Sequence, residues 1–107
     1  MVRIFHVATV ADWEAAQESG SYTTSTLDRT LAEEGFLHAA REDQWRGVLE
    51  RFYADVTEPL VLLEIDTALL GVPLVAERAP GTEETFPHVY GPLRPEAVVR
   101  ATPITPG

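Results

Sequence analysis

The stretch Leu60-Val61-Leu62-Leu63-Glu64-Ile65 constrains this fold more than any other. It is almost wholly apolar, yet far too short to cross a membrane. A strand of that composition belongs at the centre of a sheet with both faces covered. A chain of 107 residues fits one domain, 1–107, with one modest core. The other segments must therefore supply the covers.

Those segments are legible. Residues 2–8 alternate and are β-branched or aromatic, so they read as a strand. Thr9 as N-cap, Asp12 three residues on and Gly20 as a stop predict a helix over 10–19. It would bury Val10, Trp13 and Ala16 or Gln17. Residues 21–33 are rich in Ser and Thr and read as a loop; 35–39 read as a short strand. Trp45, Val48, Leu49 and Phe52 form one apolar stripe and predict a helix over 41–53. Gly47 weakens it by about 1 kcal/mol relative to alanine. Residues 67–71 read as one helical turn, 72–77 as a strand, 79–82 as a turn and 98–104 as an edge strand containing Pro103. Pro87 and Pro92 keep 86–93 extended but should interrupt a regular ladder. The expected class is α+β: a mostly antiparallel sheet with two helices in the first half.

Charge and composition remove several chemistries. All eight basic residues are arginine, set against 17 acidic ones, for a net charge of −9. Without lysine there is no Schiff base, and without cysteine no thiol nucleophile or thiolate metal site. Such a surface argues against long nucleic acids, although a local arginine patch can hold a small phosphate. No glycine-rich phosphate loop is present. The opening is too short and too alternating for a signal peptide, and no run is long enough to span a membrane. A cytoplasmic address is the expectation.

Three histidines remain, each in an apolar or aromatic run: His6, His38 and His88. Histidine is the side chain most readily used for proton transfer near neutral pH. Alternation puts His6 with Ile4 and Ala8, and His38 with Phe36, so adjacent strands can present both to one cleft. His88 and Tyr90 stand in a segment stiffened by two prolines, a reasonable site builder. Each histidine also reads as a core residue with its hydrogen bonds satisfied, Tyr90 as a corner tyrosine, and Trp13 and Trp45 as core. Arg41, at the expected start of the second helix, is an anion-binding candidate or an exposed helix-start arginine. No histidine pair has helical ligand spacing, so no metal is expected. Glu34, Glu83 and Glu84 draw attention only by lying next to these motifs.

The order of motifs resembles a known family. A strand ending in His6, Trp13 in a helix, Glu34-Gly35-Phe36-Leu37-His38, Gln44, Leu62-Leu63-Glu64-Ile65-Asp66 and Phe86-Pro87-His88-Val89-Tyr90-Gly91-Pro92-Leu93 look like the family called domain of unknown function 952. Ala39-Ala40 replaces the polar pair common there. His6, Trp13, Gly20 and Phe36-Leu37-His38-Ala39-Ala40 are more distantly similar to RNA 2′-phosphotransferases of the ADP-ribosyltransferase superfamily, with Val7-Ala8 in place of their Gly-Thr. That likeness implies an ADP-ribosyltransferase-like fold and a nicotinamide dinucleotide (NAD) ligand. His6 and His38, with Arg41 as the anion contact, would then bind the cofactor, and Glu83 or Glu84 would stabilise an oxocarbenium-like centre.

Three functional expectations follow. The first is a nucleotide or small-metabolite enzyme with a cleft lined by His6, His38, His88 and Tyr90. The second is an acid–base enzyme without NAD, with His38 or His88 as base and Tyr90 as hydrogen-bond donor. The third is a non-catalytic ligand-sensing or interaction domain.

Overall fold

The computed structural model describes residues 2–26, 29–79 and 81–105. In chain order it contains β1 (Arg3–Thr9), α1 (Val10–Ser19), β2 (Thr24–Thr26), β3 (Arg29–Thr30), α2 (Leu31–Glu34), β4 (Leu37–His38), α3 (Trp45–Phe52) and β5 (Leu60–Asp66). A 3₁₀ turn at Thr67–Leu69 follows, then β6 (Leu74–Arg78), β7 (Thr85–Val89), a second 3₁₀ turn at Pro95–Ala97 and β8 (Val98–Ile104).

The strands are ordered β1–β5–β8, β2–β3 and β4–β7–β6, and each of these pairings is antiparallel. β5 is the middle strand of its sheet and is covered on both faces. Val61, Leu63 and Ile65 join Ile4, Ala8 and the α1 residue Ala16 in one apolar cluster. Leu60 and Leu62 join Phe5, Val7, Leu49 and Tyr53 in another, beneath α3. Side chains of period two send alternate residues to opposite faces, so one strand feeds two cores. Burying a leucine such as Leu63 stabilises the fold by roughly 1.5–3 kcal/mol.

Local signals set the ends of α1. The Thr9 hydroxyl accepts from the Asp12 N–H (3.1 Å), and Gly20, at φ 86°, closes the last turn. Only glycine adopts that left-handed conformation at little cost.

Four expectations need correction. The described residues of the first half hold three α-helices, because Thr30 and Glu33 form a reciprocal capping box that nucleates α2. The segment 21–33 is therefore not all loop; it also holds β2 and β3, while Leu27 and Asp28 lie outside the described residues. The helix α3 begins at Trp45 rather than 41, since Gln44 Oε1 accepts from the Arg41 N–H (2.9 Å) and holds 41–44 as a turn. Pro87 does not interrupt the ladder: it pairs with Ala76, and its carbonyl accepts from the Ala39 N–H (3.0 Å) just past β4. The expected turn at 79–82 is present in the Thr82 N–H bond to the Ala79 carbonyl (3.2 Å), with Pro80 outside the described residues.

The β4–β7–β6 sheet is tied to the edge of β1. Phe5 and Ala40 exchange two backbone bonds, both of 2.7 Å. This junction places His6 beside His38.

Candidate functional site

A cleft of about 1000 Å³ opens between α3 and the β4–β7–β6 sheet. His6, His38, His88 and Tyr90 all line it. Arg41 is not among its lining residues. The Arg41 guanidinium instead reaches Thr85 Oγ1 (3.4 Å) and Asp43 (3.9 Å), which removes it from the place the sequence assigned.

The histidines differ in what their ring nitrogens do. His6 is 5% exposed. Its Nδ1 contacts the His38 carbonyl oxygen, which can only accept, so Nδ1 carries the proton. Its Nε2 then accepts from the Tyr22 hydroxyl (3.0 Å), itself buried. Burial pushes the His6 imidazole down to about 4, against the opposing pull of the bond to the His38 carbonyl. His6 is thus neutral, with both nitrogens already bonded inside the protein.

His38 and His88 face each other across β4 and β7 as a register pair. Their ring centroids are 5.0 Å apart in an edge contact. Phe36 stacks on His88 with centroids 4.0 Å apart and planes within 10°. Buried Ser25 locks the β4 backbone, donating to the Phe36 carbonyl (2.8 Å) and accepting from the His38 N–H (3.2 Å). His38 Nε2 lies 3.7 Å from Glu34 Oε1. Burial, then the neighbouring His88, holds the His38 imidazole below its ordinary value, against the opposing pull of Glu34.

Glu77 organises the other side. Its Oε1 accepts from His88 Nδ1 (2.7 Å) and from the Tyr90 hydroxyl. These bonds, Tyr90's first, hold the Glu77 carboxyl below its usual range, and the same bond raises the Tyr90 phenol. An ionised Glu77 can only accept, so His88 carries its proton on Nδ1. His88 is itself only 7% exposed; its Nε2 makes no hydrogen bond among the described residues and is not among the fully buried unpaired atoms. The Tyr90 proton is committed to Glu77. In this geometry Tyr90 orients Glu77, and toward a ligand it can only accept.

Glu77 is the residue that sequence reasoning missed. It stands on β6 opposite Phe86 in the hairpin register, two pairs from Val75↔His88 and so on the same face. A lone carboxylate at the end of the otherwise apolar expected strand 72–77 was the available signal, but its link to His88 depends on a pairing that spacing alone does not fix. Gln44 also carries more than expected. This buried amide donates to Glu84 Oε2 (3.0 Å) and the Thr85 carbonyl (2.8 Å), so Glu84, not Glu83, stands on the cleft wall.

The opposite wall is apolar. Trp45 and Val48 are half-buried against the α3 core, and Phe52 is 60% exposed. The expected apolar stripe of α3 is thus shared between core and cleft, and Trp45 is a wall residue beneath the Arg46 guanidinium as much as a core one. Among the described residues no group of three or more His, Cys, Asp or Glu side chains is arranged to hold a metal ion. No helix among them is long and apolar enough to cross a membrane.

The comparisons agree with this picture of fold and motif. A family model described as "Protein of unknown function (DUF952)" matches residues 7–101. A crystal structure of protein CC0527 from Caulobacter crescentus superposes with a TM-score of 0.80 at 30% identity, over 95% of this chain and 85% of that one. The solution NMR structure of CC0527 gives 0.77 at 30% identity, over 98% and 86%. No curated protein matches the chain.

Proposed function

The chain belongs to the DUF952 family, and from that premise we propose that it is an acid–base enzyme acting on a small molecule held in the histidine cleft. The observation that carries the reading is the Glu77–His88 pair, which leaves His88 Nε2 unbonded at the cleft. A carboxylate on Nδ1 fixes the tautomer and orientation of an imidazole and stabilises the cation formed when Nε2 takes a proton. His88 is the base. Glu77 and Tyr90 position it. His38, held neutral and edge-on to His88, is the second group able to exchange a proton with the ligand. Phe36 fixes the plane of the His88 ring.

The test is a turnover screen on small carbonyl and hydroxyl metabolites, with the rate followed against pH. A bell-shaped profile is expected, and His88→Ala should lower the rate by about 10²–10⁴-fold. Full activity in His88→Ala would overturn the assignment. Tight binding without turnover would favour the ligand-sensing reading.

The dinucleotide reading, with its ADP-ribosyltransferase-like fold, stands second. Cleft volume favours it, since about 1000 Å³ is at the upper end for small-ligand pockets. The sealed His6 counts against it, because neither ring nitrogen is left to grip a ribose or phosphate. In that version His38 and Glu84 would meet the ligand. Calorimetry with NAD decides it: no binding at millimolar ligand removes this reading.

A further inference from the structure

We infer that the cleft takes a small organic anion, its carboxylate or phosphate group received by Arg51 and Arg78 and its apolar body lying along α3; this rests on reading the cleft as a ligand site. The whole chain carries 17 acidic residues against eight arginines. The cleft departs from that balance, with Arg29, Arg51 and Arg78 as well as Glu34, Glu77 and Glu84 among its lining residues.

The three carboxylates are all occupied. Glu34 lies 3.6 Å from Arg29 and 3.7 Å from His38. Glu77 takes His88 and Tyr90, and Glu84 takes the Gln44 amide. Arg29 is neutralised by Glu34. Arg51 and Arg78 are left, and neither makes an ion pair or hydrogen bond to the described residues. Three arginines match the three carboxylates in number here, and Arg51 and Arg78 are the two cations of the cleft without an internal ion pair among the described residues, a local basic pole in an otherwise anionic protein. Their planar forks match carboxylate and phosphate oxygens.

The helix adds a second constraint. Arg51 folds back over Gly47, its Nη2 lying 3.4 Å from where a Cβ at 47 would stand. The exposed Arg51 side chain therefore runs back along α3, beside the column of Val48 and Phe52. An anion bound there would set its carbon skeleton against exposed Phe52 and half-buried Trp45. Its other end would then face His88.

Titrations of the full chain, followed by ¹H–¹⁵N spectra, test this with benzoate, phenyl phosphate and the neutral benzyl alcohol. The better of the two anions should bind at least about tenfold more tightly than the alcohol, and which one wins identifies the preferred oxyanion. Arg51→Gln and Arg78→Gln should each weaken the anion by about fivefold or more and leave the alcohol unchanged. Equal binding of alcohol and anions would overturn the inference. So would a preference that survives both substitutions, or no anion binding at tens of millimolar. Glu77→Gln separates the two claims: it should keep the anion preference, and full turnover in that variant would count against the acid–base chemistry alone.

Discussion

The β1–β5–β8 and β4–β7–β6 sheets treat the same residue type in opposite ways. In the first, His6 is buried, and its nitrogens bond a carbonyl and a buried tyrosine. In the second, His88 is turned by a carboxylate so that one nitrogen stays unbonded at a cleft. The difference is one of cover. The first sheet has apolar clusters on both faces, so a polar side chain within it must be satisfied by the protein. The second has a core on one face only, through Leu37 and Val89, and its other face is open. Its polar groups can therefore be completed by a ligand.

Stability should divide along the same line. Leu63→Ala, at a fully buried position of β5, should cost about 2–5 kcal/mol, through lost burial and the cavity left behind. Val75→Ala, on the exposed edge of β6, should stay within about 0.5 kcal/mol. Denaturant melts of both measure the contrast. Similar losses at the two sites would break it.

Protonation comes next in size. His6 is neutral in the fold with its value near 4, whereas the unfolded value is about 6.5. The unfolded chain then binds the extra proton between those limits, so stability is complete above about pH 6.5 and falls as pH drops toward 4. The loss amounts to about 3 kcal/mol. His38, also held low, adds in the same direction. Melts from pH 7 to 4 should show the fall, and His6→Gln should flatten most of it. An unchanged slope in that variant would mean that His6 is not sealed.

Much of the first sheet is legible in sequence because its signals are local. Thr9 and Gly20 bound α1, and the apolar run at 60–65 marks the central strand. The cleft was legible only in part. His38, His88 and Tyr90 announce themselves by motif, but Glu77 meets them through a hairpin register that no local pattern encodes. Arg41 illustrates the converse. Its position before a helix predicted an anion site, yet the Gln44 side chain turns that segment and Thr85 takes up the guanidinium. Strand register decided the first outcome, and a local Gln44 bond together with the distant Thr85 decided the second.

Substitutions in the second sheet should change chemistry more than stability. Glu77→Gln removes the ionised acceptor shared by His88 and Tyr90. Turnover should fall by about tenfold or more, and the fold should lose no more than about 1 kcal/mol. Paired rate and melt measurements check both halves. A large loss of stability with the rate retained would recast Glu77 as structural.

Tyr90→Phe should have the smallest effect. It removes one of the two bonds to Glu77 and leaves the His88 bond in place. The expected result is a displaced pH–rate profile, with stability within about 0.5 kcal/mol of wild type. An abolished rate would make Tyr90 a catalytic group rather than a positioning one.

The contrast between the two histidines can be read directly from ¹H–¹⁵N spectra of the imidazole nitrogens, recorded from pH 7 down to 4. The account predicts that both His6 and His88 carry the proton on Nδ1. It also predicts that His6 resists protonation until about pH 4, and that only His88 Nε2 responds when a ligand fills the cleft. A His6 that titrates near 6.5, or a His88 protonated on Nε2 at neutral pH, would contradict it.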